Sequence, residues 1–178
     1  MGRHLVFKLR LSSAQFPHGI FDALRVCETF HLAAIGGVRH VIPIWEAAFP
    51  EKSGPGEMIV LAQSIVEGRR GEEAKQSSER FQVYSENLGY DRGHEVAALV
   101  GTAASKLIPL ALYDAYWGQS TESDEDLDPD LWDPSYVASM AAANGAVRAS
   151  GSNNDARGVF WRWYLREAAP AAYETVPT

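Results

Sequence analysis

The chain has 178 residues, 46% hydrophobic and 22% charged, which is the composition of a folded globular protein and too apolar for a disordered one. A globule of this length buries roughly 70% of the surface its unfolded chain exposes, so one core suffices and a single domain over residues 1–178 is expected. The net charge of -7 argues against a nucleic-acid backbone or an anionic membrane as partner, because both require a cationic surface. Cys27 is the only cysteine, which excludes an internal disulfide and makes the cytoplasm the default compartment. Arg3, His4, Lys8 and Arg10 interrupt any N-terminal apolar run, and no later stretch approaches the roughly 20 apolar residues that span a bilayer. The expectation is a chain that is neither secreted by that route nor membrane-embedded.

The segment Leu5 to Leu11 alternates Leu5, Phe7, Leu9 and Leu11 with polar residues, the period of a short strand or of an extended arm laid on a helical body. From there the periods are helical. Phe21 to Ala34 reads as a first helix, with Leu24, Cys27, His31 and Ala34 on one stripe, ended by Gly36 and Gly37, where a left-handed cap is sterically free. Val38 to Ala48 is a second helix. Pro50 and Lys52-Ser53-Gly54-Pro55-Gly56 then impose a turn, and Met58, Leu61, Ala62, Ile65 and Val66 follow at the spacing of an amphipathic helix. Gly68 to Gly71 breaks it.

Glu72 to Leu88 reads as a polar helix whose apolar positions are Phe81, Val83, Tyr84 and Leu88. Glu95 to Trp117 carries Val96, Leu99, Val100, Ala103, Leu107 and Leu110 on one stripe and is expected to be the central helix, kinked at Pro109. Gly118 to Asp133 is a loop, Pro134 suits the first turn of a helix to Ala149, and Ser150 to Asn154 is another loop. Asp155 to Tyr173 closes the fold, with Pro170 kinking or ending that helix. The predicted fold class is all-α: an irregular bundle of about six to seven helices, with a short N-terminal strand or extended arm.

Enzyme signatures with strict spacing are absent: there is no Gly-x-Ser-x-Gly elbow, no phosphate loop, and Gly54-Pro55-Gly56 reads as a linker. Cys27 and His31 fall four apart on one helical face, the spacing of a thiolate pair, yet both lie in an apolar stripe that favours a buried thiol and a core or rim histidine. The five histidines are scattered without metal-ligand spacing, and no metal or cofactor is expected. Glu95 beside His94 reads as a carboxylate meeting a helix dipole.

The strongest local anomaly is the stretch Glu122 to Asp133, which holds Glu122, Asp124, Glu125, Asp126, Asp128, Asp130 and Asp133. It imitates the start of a calcium loop, but Pro129 stands where glycine is needed and Ser135 where a bidentate glutamate belongs. Two readings remain, a solvated charged loop or a contact surface for a cationic groove on a partner, and Trp132 within it favours contact as an aromatic anchor among steering charges. The candidate partner-binding residues are therefore Asp124, Glu125, Asp126, Asp128, Asp130, Trp132 and Asp133. The aromatic run at Phe160, Trp161, Trp163 and Tyr164 exceeds what one helix face can hide. Phe160, Trp163 and Tyr164 share the expected core face, and Trp161 packs against another helix or enters an interface.

Three segments carry a resemblance: Ala23-Leu24-Arg25-Val26-Cys27-Glu28; Ile42-Pro43-Ile44-Trp45-Glu46 through Phe49-Pro50 to Glu67-Gly68; and Phe160-Trp161-Arg162-Trp163-Tyr164-Leu165 with Glu167-Ala168. In these the chain resembles the all-α predicted immunity protein family of bacterial polymorphic toxin systems. The resemblance implies a small cytoplasmic protein that binds and blocks a cognate protein toxin, without catalysis. The rival readings are a small helical enzyme or metal-binding protein with a site between helices, for which Glu46, His40 and His94 are the first residues to test, and a helical scaffold or regulator of another assembly.

Overall fold

The computed structural model describes residues 18–69, 72–91, 93–112, 133–145 and 151–176, with side chains described from Cys27 onward in the first helix. The helices are α1 (His18–Ala48), α2 (Gly54–Val66), α3 (Glu72–Gly89), α4 (Glu95–Leu112), α5 (Pro134–Ala142), α6 (Asn154–Trp163) and α7 (Ala169–Thr175), with a π-helical turn Tyr164–Ala168 joining the last two. Counting α6, the π turn and α7 as one run gives six helices and no strand among the described residues, an all-α bundle as expected. The alternating segment Leu5 to Leu11 lies outside the described residues.

The first correction concerns Gly36 and Gly37. They do not end a helix: α1 runs through both, and through Pro43, to Ala48. A Cβ on Gly37 would lie 3.3 Å from Tyr164 Cε2 and 3.6 Å from Phe160 Cζ, so the missing side chain is a notch for the C-terminal aromatics. Interior glycine costs roughly 1 kcal/mol against alanine, which close packing of two aromatic rings offsets.

The core forms around α4, which packs against α1, α2, α3 and α5. From Val100 to Ile108 nearly every residue of α4 is buried, the pattern of a helix enclosed on all sides. It is long and apolar enough to cross a membrane by length and composition, the one such helix among the described residues, and most of it is buried among the other helices, the place of a core helix. Pro109 lies inside α4, which continues to Leu112, and residues 113–117 of the predicted helix lie outside the described residues.

The apolar positions of α3 do not all turn inward. Val83 and Tyr84 are exposed, and the buried positions are Ala74, Ser78 and Ser85, with Phe81 and Leu88 partly covered. Small residues serve here because α3 and α4 approach closely: a Cβ on Gly101 would overlap Ser85 Oγ and sit 3.0 Å from Trp45 Cζ3. The buried hydroxyls are satisfied by backbone, Ser78 donating to the Ser105 carbonyl at 2.7 Å and Ser85 to the Phe81 carbonyl at 2.9 Å.

α5 stops at Ala142, short of the predicted Ala149. Asn144 and Gly145 take φ of 60° and 142°, which turns the chain out of the helix, and the Gly145 N–H returns to the Met140 carbonyl at 2.9 Å. At the other end of the fold the π turn occupies the five residues before Ala169-Pro170, and the Ala169 N–H reaches the Tyr164 carbonyl. Pro170, without an N–H, cannot continue the ordinary α ladder, and the wider turn leads the chain into α7. Phe160 and Tyr164 face the core as predicted, whereas Trp163 is only half-buried. Trp161, also half-buried, packs against the core edge to Phe160 and Tyr164.

Candidate functional site

Of the candidate contact residues, Asp124, Glu125, Asp126, Asp128, Asp130 and Trp132 lie outside the described residues; Asp133 lies within them. Asp133 is the N-cap of α5. Its Oδ1 accepts from the backbone N–H of Ser135 at 2.7 Å and of Tyr136 at 3.2 Å, Pro134 occupies the first turn, and Ser135 Oγ donates to the Tyr164 hydroxyl at 3.1 Å. The other carboxylate oxygen, Oδ2, is buried without a partner. Burial pushes the Asp133 pKa up against the lowering effect of the Ser135 and Tyr136 hydrogen bonds, and burial likewise raises the Tyr164 hydroxyl, which the Ser135 hydrogen bond opposes and the Asp133 charge reinforces. Asp133 thus fixes the C-terminal end of the acidic stretch to the body of the fold.

This geometry has a pH signature. A carboxyl whose native pKa lies above its unfolded value of 3.8 contributes stability that is fully present below that value and lost as pH rises through the native pKa. Asp133→Asn keeps a capping oxygen and has no charge to bury, so it should gain on the wild type progressively from about pH 4 upward. Asp133→Ala should cost about 0.5–2 kcal/mol through loss of the cap. Urea unfolding of the three proteins at acid and neutral pH decides it; a wild-type-to-Asn difference that is flat with pH would refute the enclosed carboxylate.

The residues considered for a site between helices are not brought together. His40 stacks on Trp163 at 3.9 Å and meets Phe160 edge-on at 5.8 Å, so it belongs to the C-terminal aromatic cluster. His94 lies 4.8 Å from Phe49, in the cluster of Trp45, Phe49, Phe81 and Tyr84, and its Nδ1 is buried without a hydrogen bond. Glu46 is exposed on α1. Cys27 is partly buried and His31 is buried on the same helix. Glu95 sits in the first turn of α4 and accepts the Gly93 N–H at 2.9 Å, in the role its position implied. Among the described residues no three of His, Cys, Asp and Glu stand close enough to hold a metal ion.

Two surface grooves accompany this core. One, about 750 Å³, lies where the turn between α3 and α4 meets the C-terminal turn of α5; Glu86, Glu95, Leu99, Thr102 and Asn144 are among its walls. Tyr90, in the turn between the lining glycines Gly89 and Gly93, is 85% exposed. The other, about 630 Å³, runs between α2 and α3 past Glu57, Val60 and Ser77. Neither groove carries a sequence signal, because residues from 85–102 and 144–145, or from 53–61 and 77, meet only in the folded chain.

Two of the three segments that carried the family resemblance are packing elements: Trp45 and Phe160 are each 1% exposed and anchor the two aromatic clusters. An all-α bundle whose signature residues are structural and whose described residues hold no catalytic constellation has the character of a binding protein. Comparison with protein families finds a match to the family described as Immunity protein Imm5, over residues 29–171. The chain belongs to the Imm5 immunity protein family. The match includes the Trp45 and Phe160 segments and begins just beyond Ala23-Leu24-Arg25-Val26-Cys27-Glu28. Membership places the protein in toxin immunity as a class of function and implies a toxin as partner; such families are generally non-enzymatic. Comparison with curated proteins finds no match.

Proposed function

We propose that this protein binds one cognate bacterial toxin of a polymorphic toxin system and neutralises it by occlusion, in the cytoplasm of the cell it protects, with Asp124 to Asp133 as a contact segment. The observation that carries the reading is the family match across 29–171, most of the folded body. Two properties of the chain support it. Its negative charge is concentrated between Glu122 and Asp133, a stretch of seven carboxylates with one tryptophan and no basic residue, a composition that accelerates encounter with a cationic partner and supplies an anchor once contact is made. Trp45 and Phe160, the aromatics of the matched motifs, are buried in the core. Within the segment the roles divide: Asp133 holds the end in place, and Asp124, Asp126, Asp128 and Asp130 supply charge.

Purification of the tagged full chain from its native host, with mass spectrometry of what accompanies it, should recover a toxin-domain protein at near-equal stoichiometry. Changing Asp124, Asp126, Asp128 and Asp130 to Asn should slow association and weaken binding by tenfold or more, since each close charge pair at an interface contributes on the order of 1 kcal/mol or above. Unchanged recovery and affinity with that variant would remove the segment from the interface. Absence of any toxin would remove the function.

A further inference from the structure

The groove between the α3–α4 turn and the end of α5 has a negative rim. Glu86 and Glu95 both line it, and each carboxylate has acceptor capacity left after its one local bond, from Gln82 Nε2 at 2.9 Å and from the Gly93 N–H at 2.9 Å. In addition, the C-terminal turns of α3 and α5 converge there, through Glu86 and Gly89 on one side and Asn144 and Gly145 on the other. Each helix C-terminus carries about half a negative charge with no basic residue in its last turn, and the first turn of α4 in the same groove contributes about half a positive one, so Glu86 and Glu95 supply most of the negative charge. Arg157 compensates the α5 end in part, donating from Nη2 to the Gly145 carbonyl at 3.0 Å. Nothing comparable meets the end of α3 among the described residues. The groove floor is apolar, made of Val96, Ala98 and Leu99, and Tyr90 stands at the turn beside it.

An apolar floor under a negative rim, next to an exposed tyrosine, matches the stem and head of a long cationic side chain. We propose that this groove is a second contact site for the toxin and receives an arginine- or lysine-bearing loop of it. The proposal rests on the toxin-binding reading above and adds a place to it. The acidic stretch leads into α5 at Asp133, and the groove takes in the other end of that nine-residue helix at Asn144 and Gly145, about 15 Å further on. A basic surface of ordinary interface size reaches both, and the two contacts are separable by mutation.

The test uses the full chain carrying Asn at 124, 126, 128 and 130, which removes competition from the acidic stretch. It is titrated at low ionic strength with the blocked peptide acetyl-Arg-Gly-Arg-amide and followed by amide resonances. Saturable shifts should be confined to the groove, at Gly89, Tyr90, Gly93, Thr102 and Asn144, and acetyl-Glu-Gly-Glu-amide should produce none. Glu86→Gln with Glu95→Gln keeps the local hydrogen-bond acceptors and should weaken peptide binding about fivefold, the loss of two exposed charge pairs. Groove amides that do not move, or Gln variants that bind the peptide as before, would overturn the proposal. Against a co-purified toxin, the same two substitutions with Tyr90→Ala should lower affinity about tenfold or more; equal affinity overturns the groove as a contact while leaving toxin binding intact. Failure to recover a toxin is a failure of the function, and the peptide titration reads the groove independently of it.

Discussion

Replacing Trp45 with alanine should lower the unfolding free energy by about 3–5 kcal/mol, the cost of emptying a fully buried aromatic site. Trp45 is 1% exposed, stands 4.9 Å from Phe49 and 5.7 Å from Phe81, and lies against the bare Cα of Gly101, so α1, α3 and α4 all lose a neighbour at once. The indole also donates from Nε1 to the Lys52 carbonyl at 2.7 Å, fixing the turn that launches α2. Trp45→Phe retains most of the ring packing and gives up that bond, so it should cost about 1–3 kcal/mol, the penalty of an orphaned carbonyl plus a small void. Chemical denaturation of both variants measures the split. A Trp45→Ala loss below about 1 kcal/mol would mean that the cluster does not hold the three helices together. The position also matters for function: a toxin-binding surface built on an irregular bundle depends on helices being fixed relative to one another, and Trp45 is where three of them meet.

Trp45 and Phe160 were legible because large aromatics in short motifs stand out in any sequence, and the family resemblance rested on them. What was not legible is the small-residue chemistry between them. Ser78, Ser85 and Gly101 do not register in an apolar period, yet they are buried where α3 meets α4, while the apolar Val83 and Tyr84 are exposed. The end of α5 was signalled by Asn144-Gly145, a pair suited to positive φ, but the alanines and Val147 around it sustain a helical period that reads through to Ala149. At the candidate site, Asp133 before Pro134 carries the sequence mark of a helix cap, and its enclosure beneath Tyr164 required tertiary structure to see. The groove at Glu86 and Glu95 depends on two helix ends meeting, which no local pattern encodes.

The glycine pair in α1 offers the sharpest contrast between a sequence rule and a packed structure. If Gly36 capped a helix in the left-handed conformation, alanine there would be strained and destabilising. In the structure Gly36 lies inside α1 with no positive φ, and an added Cβ would stand 3.7 Å from the Ala168 Cβ, an ordinary contact. Gly36→Ala should therefore stabilise the protein by about 0.5–1 kcal/mol, by relieving the entropic cost of interior glycine. One residue on, the sign reverses. A Cβ at Gly37 already presses on the Tyr164 ring at 3.3 Å, and the atoms beyond it would enter the space of Phe160, so Gly37→Leu should destabilise by about 1–3 kcal/mol through overpacking. The strain falls on the π turn, because Tyr164 is its first residue and also accepts the Ser135 hydroxyl beneath the Asp133 cap. Thermal unfolding of the two variants gives opposite shifts if α1 is one continuous helix seated on the C-terminal aromatics. Destabilisation by both would restore the helix break at this pair and detach α1 from the residues that anchor the acidic segment.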